Sequence, residues 1–468
     1  MTRQIFALTV FAASVLCAAQ DQTPGQTNQP QTNQSQVGQA EQPAAPMEDL
    51  RAPVPALLGG DSGSLAFTSE LERSNYLRAG IAVSTTYDDN VSNSTTNKIG
   101  DVSYSILPNI QLDQTRSRLH WILGYYGGFT ANQRLSQRNQ ASHNLNGSLQ
   151  FRLSPHMDLR LSDRFLDTTG LLQQFQNGIG TPVTGPINQP NPTLITPLAK
   201  NLNNNASADW SYQFSRDNVM GAEGTFYLAH FKDLPAGSAA LLDTETRGGD
   251  FYFNHRFTAR NWTGVTYKFQ HLRVGAGSNV TDTHSLLFSH TIYVREHMTL
   301  SFYAGPEYSQ IDSVIVTANI IPPVISFATV SNSDHQLSVS GGGSFGWQGK
   351  LTSIRLDASR RVSDGGGLLG AVVLNSVEGG IRRQLAQTTA IHLNAMYGHN
   401  RELGSFTTGT ELTSAGGTVG LEQHMGANFL LTLDYGRDYQ TQSAAVGNIN
   451  HNRGIATISY SFTRPMGR

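Results

Sequence analysis

From Leu77 to Phe462 the sequence repeats one pattern: about ten residues in which apolar and polar side chains alternate, then a break, then the alternation again. Leu77, Ala79, Ile81 and Val83 alternate with Arg78, Gly80, Ala82 and Ser84; near the other end Ala456, Ile458, Tyr460 and Phe462 alternate with Thr457, Ser459 and Ser461. Successive side chains of a strand point to opposite faces, so every such segment carries one apolar and one polar face. About eighteen segments can be counted, an even number within the range of transmembrane barrels. The expected fold is all-β: a transmembrane antiparallel up-and-down β-barrel of about 18 strands over 75–462, with a short tail at 463–468.

The breaks sharpen this expectation. Short turns fall near 115–117, 155–156, 216–217, 259–261, 294–297, 349–350, 386–389 and 425–427. Longer polar connections lie near 88–101, 132–140, 168–200, 232–244, 275–282, 311–333, 364–371, 400–413 and 441–452. Short and long alternate, which is the asymmetry of an outer-membrane barrel with tight periplasmic turns and long external loops. The pattern predicts the outer membrane of a Gram-negative-type bacterium, with both termini periplasmic.

Composition agrees. Charged residues make up 14% of the chain against the usual quarter, so its polarity is not that of a salt-laced surface. A formal net charge of -2 and the absence of any basic stretch exclude a nucleic-acid partner. Residues 1–19 place Arg3 before an apolar run and end on Cys17-Ala18-Ala19, the form of a secretory signal peptide. Residues 20–70 are rich in Gln, Asn and Pro and read as a disordered periplasmic linker. Cys17 is the sole cysteine, so a chain cleaved after Ala19 folds without disulfides.

The apolar parity should face lipid and the polar parity the interior. Trp121, Trp210, Trp262 and Trp347 all lie near short turns, where an aromatic girdle meets the membrane interface; Tyr87, Phe129, Tyr308, Tyr397 and Tyr439 border long loops and would form the opposite girdle. Arg360-Arg361 and Arg382-Arg383 each send one cation outward, near strand ends where it can reach headgroups. The interior candidates are Arg152, Arg160 and Arg164, then Asp209, Glu223 and Asp250, and later Lys268, Glu307, Arg355, Asp357, Glu378 and Asp434. Barrels of 16 to 18 strands leave an aqueous channel, so these charges would line a pore, with an arginine arc facing an acidic arc. The competing reading is a network of structural ion pairs inside a narrow or plugged barrel.

The stretch from Gly80 to about Phe165, carrying TTYDDNVSNS, VSYSILPNIQL and HWILGYYGGFTANQ, resembles the start of the β-barrel porin type 2 family of bacterial outer-membrane proteins. The resemblance implies a membrane-embedded, porin-like barrel and a link to exopolysaccharide traffic. Implied partners are outer-membrane lipid and lipopolysaccharide, the barrel-assembly machinery and polysaccharide-export components. Barrel assembly would read an internal Tyr460-x-Phe462 signal, since the chain ends TRPMGR after Phe462.

Chemistry of other kinds finds little footing. Gly60-Asp61-Ser62-Gly63-Ser64 has the form of a serine-protease nucleophile stretch, but no histidine precedes Ser62. Asp88-Asp89-Asn90 could hold a cation, yet Asp and Asn readily bond their own backbone, and a strand-ending turn is the preferred reading. No catalytic set, metal site or cofactor is expected. The connection 168–200 carries no charge between Thr168 and Ala199 and could fold inward as a constriction, while the apolar stretch around Pro322-Pro323 suggests an extended hairpin. The sequence thus points to a porin-like channel for small polar solutes or glycans, with a non-conducting structural or adhesive barrel as the alternative.

Overall fold

A computed structural model describes residues 75–466, apart from residue 96, 170–190, 192, 196–198, 233–240, 276–278, 296, 322–323, 404–410 and 443–447; the side chains of 314–330 are likewise outside the description. The expected signal peptide and linker, and Gly60–Ser64, therefore lie outside the described residues. The strands are β1 (Asn75–Asp88), β2 (Asp101–Thr115), β3 (Leu119–Asn132), β4 (Gln140–Ser154), β5 (Met157–Thr169) and β6 (Lys200–Ser215). There follow β7 (Asn218–Lys232), β8 (Thr244–Thr258), β9 (Asn261–Val274), β10 (Asn279–Arg295), β11 (Met298–Ile321) and β12 (Val324–Gln348). The last six are β13 (Thr352–Gly365), β14 (Leu369–Ala386), β15 (Thr389–Glu402), β16 (Glu411–Met425), β17 (Phe429–Gln442) and β18 (Ile449–Pro465).

Each strand pairs antiparallel with the next, and β1 pairs with β18 from Tyr76↔Pro465 to Asp88↔Arg453, so the 18-stranded sheet is closed. Closure leaves no free edge at the seam, as a hydrocarbon environment demands. Alternation governs burial throughout. On β1, Ile81, Val83 and Tyr87 are exposed on the outer face while Ser84, Thr86 and Asp88 are buried on the inner one. The outer belt continues through Ile106, Leu123, Phe288, Leu393 and Ile458. An apolar exterior and a polar interior are the reverse of a soluble protein and match a wall that faces lipid.

One end carries turns of two or three residues; at the other most connections are longer, but β11–β12 and β13–β14 are joined by only two and three residues, because strand pairing runs on into the connections expected at 311–333 and 364–371. At the short-turn end Trp210, Tyr212, Phe214 and Phe253 form an outward aromatic ladder with ring centroids 6.0–6.5 Å apart. At the long-loop end the connection expected at 311–333 is mostly strand: β11 and β12 pair as far as Ile321↔Val324, giving the extended hairpin. β-Branched residues such as Val314, Ile315, Val316 and Val324 favour that outcome.

The β12–β13 seam differs from the others. Its pairing runs only from Gln348↔Ser353 to Gly341↔Arg360, and beyond Arg360 β13 keeps β14 as its partner. The freed tip of β13 and β14 folds into the barrel. Val362 and Val373 have the parity of the outward Ala358 and Val377, yet they are buried against Leu272, Val274 and Ile311, on β9 and β11. Ser340 and Arg360 close the corner of the seam: Ser340 Oγ donates to the Arg360 carbonyl at 3.0 Å and Arg360 Nε to the Val339 carbonyl at 3.2 Å.

Candidate functional site: the barrel interior and its mouth

Register brings one row of interior side chains together. Arg160 on β5 lies opposite Asp209 on β6, and the row continues through Glu223, Asp250, Lys268, Ser285, Glu307 and Ser338 on β7 to β12. Cross-strand neighbours stand about 5 Å apart, so three carboxylates are adjacent and a cation bounds them on each side. The Tyr252 hydroxyl donates to Asp209 Oδ1 at 3.2 Å, and the hydroxyls of Ser285 and Ser338 donate to Glu307 at 3.2 and 3.1 Å.

A second group lies on the far wall, where Arg382, His392, Gly420 and Asp434 occupy one register row of β14 to β17. The His392 ring nitrogens lie 3.2 Å from Glu422 and 3.0 Å from Asp434, and Arg382 Nη2 donates to Glu422 at 2.8 Å. Gly420 has no side chain to separate them. Placing a Cβ there would strike both Asp434 and His392.

At the long-loop end the interior narrows. A circular barrel of eighteen strands, each ~4.8 Å from the next and tilted ~40°, would be roughly 36 Å across. Ile195 donates its backbone N–H to Gln440 on β17 at 2.7 Å, and five residues later the chain enters β6 at Lys200. Five residues reach at most ~18 Å, so the two walls are drawn well inside the circular diameter. Asn191 docks beside this point, donating its backbone N–H to Asp364 Oδ1 at 3.1 Å and its side-chain amide to Asn400 on β15. Asn400 Nδ2 donates in turn to Thr193 Oγ1 at 3.0 Å. Leu194, Leu369, Val372 and Leu412 pack around this polar knot as an apolar cluster.

The tip of β13–β14 completes the mouth. Gly366 and Gly367 adopt φ of +60° and +80°, a left-handed turn that residues with a Cβ enter only with strain. The Gly367 carbonyl accepts from the Leu242 N–H at 2.8 Å, and a Cβ on Gly367 would stand 2.6 Å from the Phe231 ring. The hairpin tip therefore bridges from β13–β14 to the end of β7 and the connection after it.

The interior candidates all have inward parity. Arg152 approaches Asp158 at 3.7 Å, and Arg355 Nε donates to Asp357 at 2.6 Å. Arg164 is exposed to the interior, whereas Asp209, Glu223 and Lys268 are buried. One expectation changes: the arginine arc does not face the acidic arc but abuts it, because Arg160 and Asp209 are cross-strand neighbours. A second change concerns the girdle. Tyr87, Trp121, Trp210 and Trp347 have outward parity, but Trp262 points inward, is 6% exposed and carries the Arg256 guanidinium 5.8 Å above its ring. Nearness to a turn suggested Trp262, while parity with Thr266, Lys268 and Gln270 decides its side.

Asp88, Asp89 and Asn90 act within the structure. Asp88 Oδ1 accepts from the Asn90 N–H at 2.8 Å and lies 2.6 Å from His451 Nε2, while Asp89 Oδ1 accepts from the Asn452 N–H at 2.7 Å. They tie the ends of β1 and β18 together. Among the described residues no three His, Cys, Asp or Glu side chains gather as a metal-binding set. The individual residues of the mouth, Asn191, Thr193, Asp364, Asn400 and Gln440, were not singled out by the sequence; the local signals are the connection 168–200, uncharged up to Ala199, expected to be able to form a constriction and holding Asn191 and Thr193, and the glycine run 365–367 that follows Asp364.

An eighteen-strand closed antiparallel barrel with an apolar outer belt defines the class: a transmembrane β-barrel of the outer-membrane type. No protein-family model and no curated protein matches the sequence. Solved structures of similar fold are outer-membrane porins. Pseudomonas aeruginosa OccK2 (OpdF), solved in complex with glucuronate, has 12% identity and a TM-score of 0.43 over 83% of this chain and 100% of its own. A BenF-like porin from Pseudomonas fluorescens Pf-5 has 10% identity and a TM-score of 0.43 over 82% and 99%, and Acinetobacter baumannii OccAB4 has 10% and 0.41 over 84% and 99%.

Proposed function

We propose that the chain is a porin-like outer-membrane channel for small polar solutes, with the long-loop end facing the cell exterior and both termini periplasmic. The observation that carries this reading is the inward row of charges from Arg160 to Glu307, lying beneath a mouth that two separate segments narrow. Charges placed on the inner wall and hydroxyls that orient them suit polar cargo, and the narrowing selects by size. The resemblance of Gly80 to Phe165 to the type 2 porins extends the reading to glycans and to partners in exopolysaccharide export.

The packed mouth supports a second reading, a non-conducting structural or adhesive barrel. Planar-bilayer recording of the refolded chain separates the two. A channel gives unitary steps, small for the native chain and larger when Asn191 and Asp364 are both replaced by Ala; silence from both proteins rejects the channel and leaves the structural barrel.

A further inference from the structure

The outer face of the barrel is hollowed over β15 to β18 and β1. Gly454 and Ala456 form the floor; Tyr87, Ile391, Val419, Leu433 and Tyr435 stand around it, and the hollow measures about 600 Å³. Register explains the depression. Gly454 lies between the two large rings of Tyr87 and Tyr435, and Ala456 between Leu433 and the smaller Thr85, so the smallest outward side chains of β18 sit below their neighbours. A Cβ on Gly454 would meet nothing within 4 Å. Asp434 also borders the hollow, but its carboxylate turns to His392 in the interior.

Such a hollow lies within the lipid-facing belt, where water is excluded and an unfilled space forfeits dispersion contacts on every wall. An acyl chain is the filling that the surroundings supply. The rim says what headgroup it carries. Arg437 is exposed on the outward face two residues beyond Tyr435, about 7 Å along the strand towards the long-loop end. Nearby carboxylates are engaged elsewhere: Asp438 holds Arg453 inside the barrel, Asp88 meets His451, and Asp89 accepts from Asn452. Arg401, the next outward cation, faces Glu411 in register. Arg437 is thus a cation poised for an anion at headgroup level.

We propose that this hollow binds one acyl chain of a phosphorylated glycolipid of the outer leaflet, with Arg437 on its phosphate. The site rests on the orientation given above and not on conduction.

The test uses the full-length protein in detergent micelles, titrated with diphosphorylated hexa-acyl lipid A and followed by native mass spectrometry. The expected result is one tightly retained lipid, with affinity about tenfold lower in Gly454→Leu, which fills the floor, and about fivefold lower in Arg437→Gln. Dephosphorylated lipid A should bind as weakly to the native chain as the phosphorylated form binds to Arg437→Gln. Gly224→Leu serves as the control, because Gly224 is also outward and open but lies on β7. Heat-dependent gel mobility verifies that each variant is folded. Retention unchanged in both Gly454→Leu and Arg437→Gln overturns the proposal, as does equal affinity for phosphatidylglycerol. A chain that is silent in bilayers yet retains lipid A in this pattern rejects the channel and upholds the site.

Discussion

Asn191 and Asp364 are 173 residues apart in the chain, yet the backbone N–H of the first donates to the carboxylate of the second at 3.1 Å, both buried at the barrel mouth. The contact joins the connection between β5 and β6 to the in-folded tip of β13–β14. Asp364→Ala leaves the buried Asn191 backbone N–H without its acceptor, at a cost of about 1–3 kcal/mol. The expected outcome is a several-fold larger unitary conductance together with a lower unfolding temperature on heat-modified gels. Unchanged conductance would show that this contact does not narrow the passage.

Gly367→Val probes the same mouth from the other side. Its φ of +80° disfavours a β-branched residue by roughly 1–2 kcal/mol, and the added carbon meets the Phe231 ring. The tip should lose its bond to Leu242 while the barrel below remains folded. Protease accessibility at 361–373, absent in the native chain and present in the variant, measures this.

Arg160 and Arg164 lie on the inner wall beside the acidic row. Replacing both by Glu changes the interior charge by four units and extends the run of carboxylates. The reversal potential in a salt gradient should move towards cation selectivity, with the shift diminishing as salt is raised and the charges are screened. An unmoved reversal potential sinks the role of these residues in selectivity.

The four tryptophans divide three to one. Brominated lipid should quench variants that retain only Trp121, only Trp210 or only Trp347, and leave the variant with only Trp262 bright, because that ring faces inward beneath Arg256. Trp262→Ala should destabilise the barrel by about 3–5 kcal/mol, as expected for a buried aromatic. Quenching of Trp262 equal to the others would place it in the girdle after all.

Much of the fold is legible in the sequence. The alternation of Ile81 and Val83 with Ser84, repeated to Ile458 and Phe462, set strand, face and number, since a period of two admits no other regular structure. Interior charges such as Arg160, Asp209 and Asp357 followed from parity alone. Trp262 escaped because its position near a turn outweighed its parity. The hollow at Gly454 and Ala456 could not be read either, because its depth depends on what β1 and β17 place beside it.

The sequence by itself determined the barrel, its strands and which side of each strand meets lipid, because those are local consequences of backbone pleat and side-chain polarity. The sequence suggested that the connection 168–200 could constrict the passage, but tertiary structure alone decided its contacts and the part played by β13–β14. Val362 and Val373 carry the parity of lipid-facing residues, and nothing local distinguishes them from Ala358 or Val377. They are buried because β13 parts from β12 beyond Arg360 and turns its outer face onto the inner wall of β9 and β11. That choice belongs to contacts between residues far apart in the chain, and it sets how narrow the passage is.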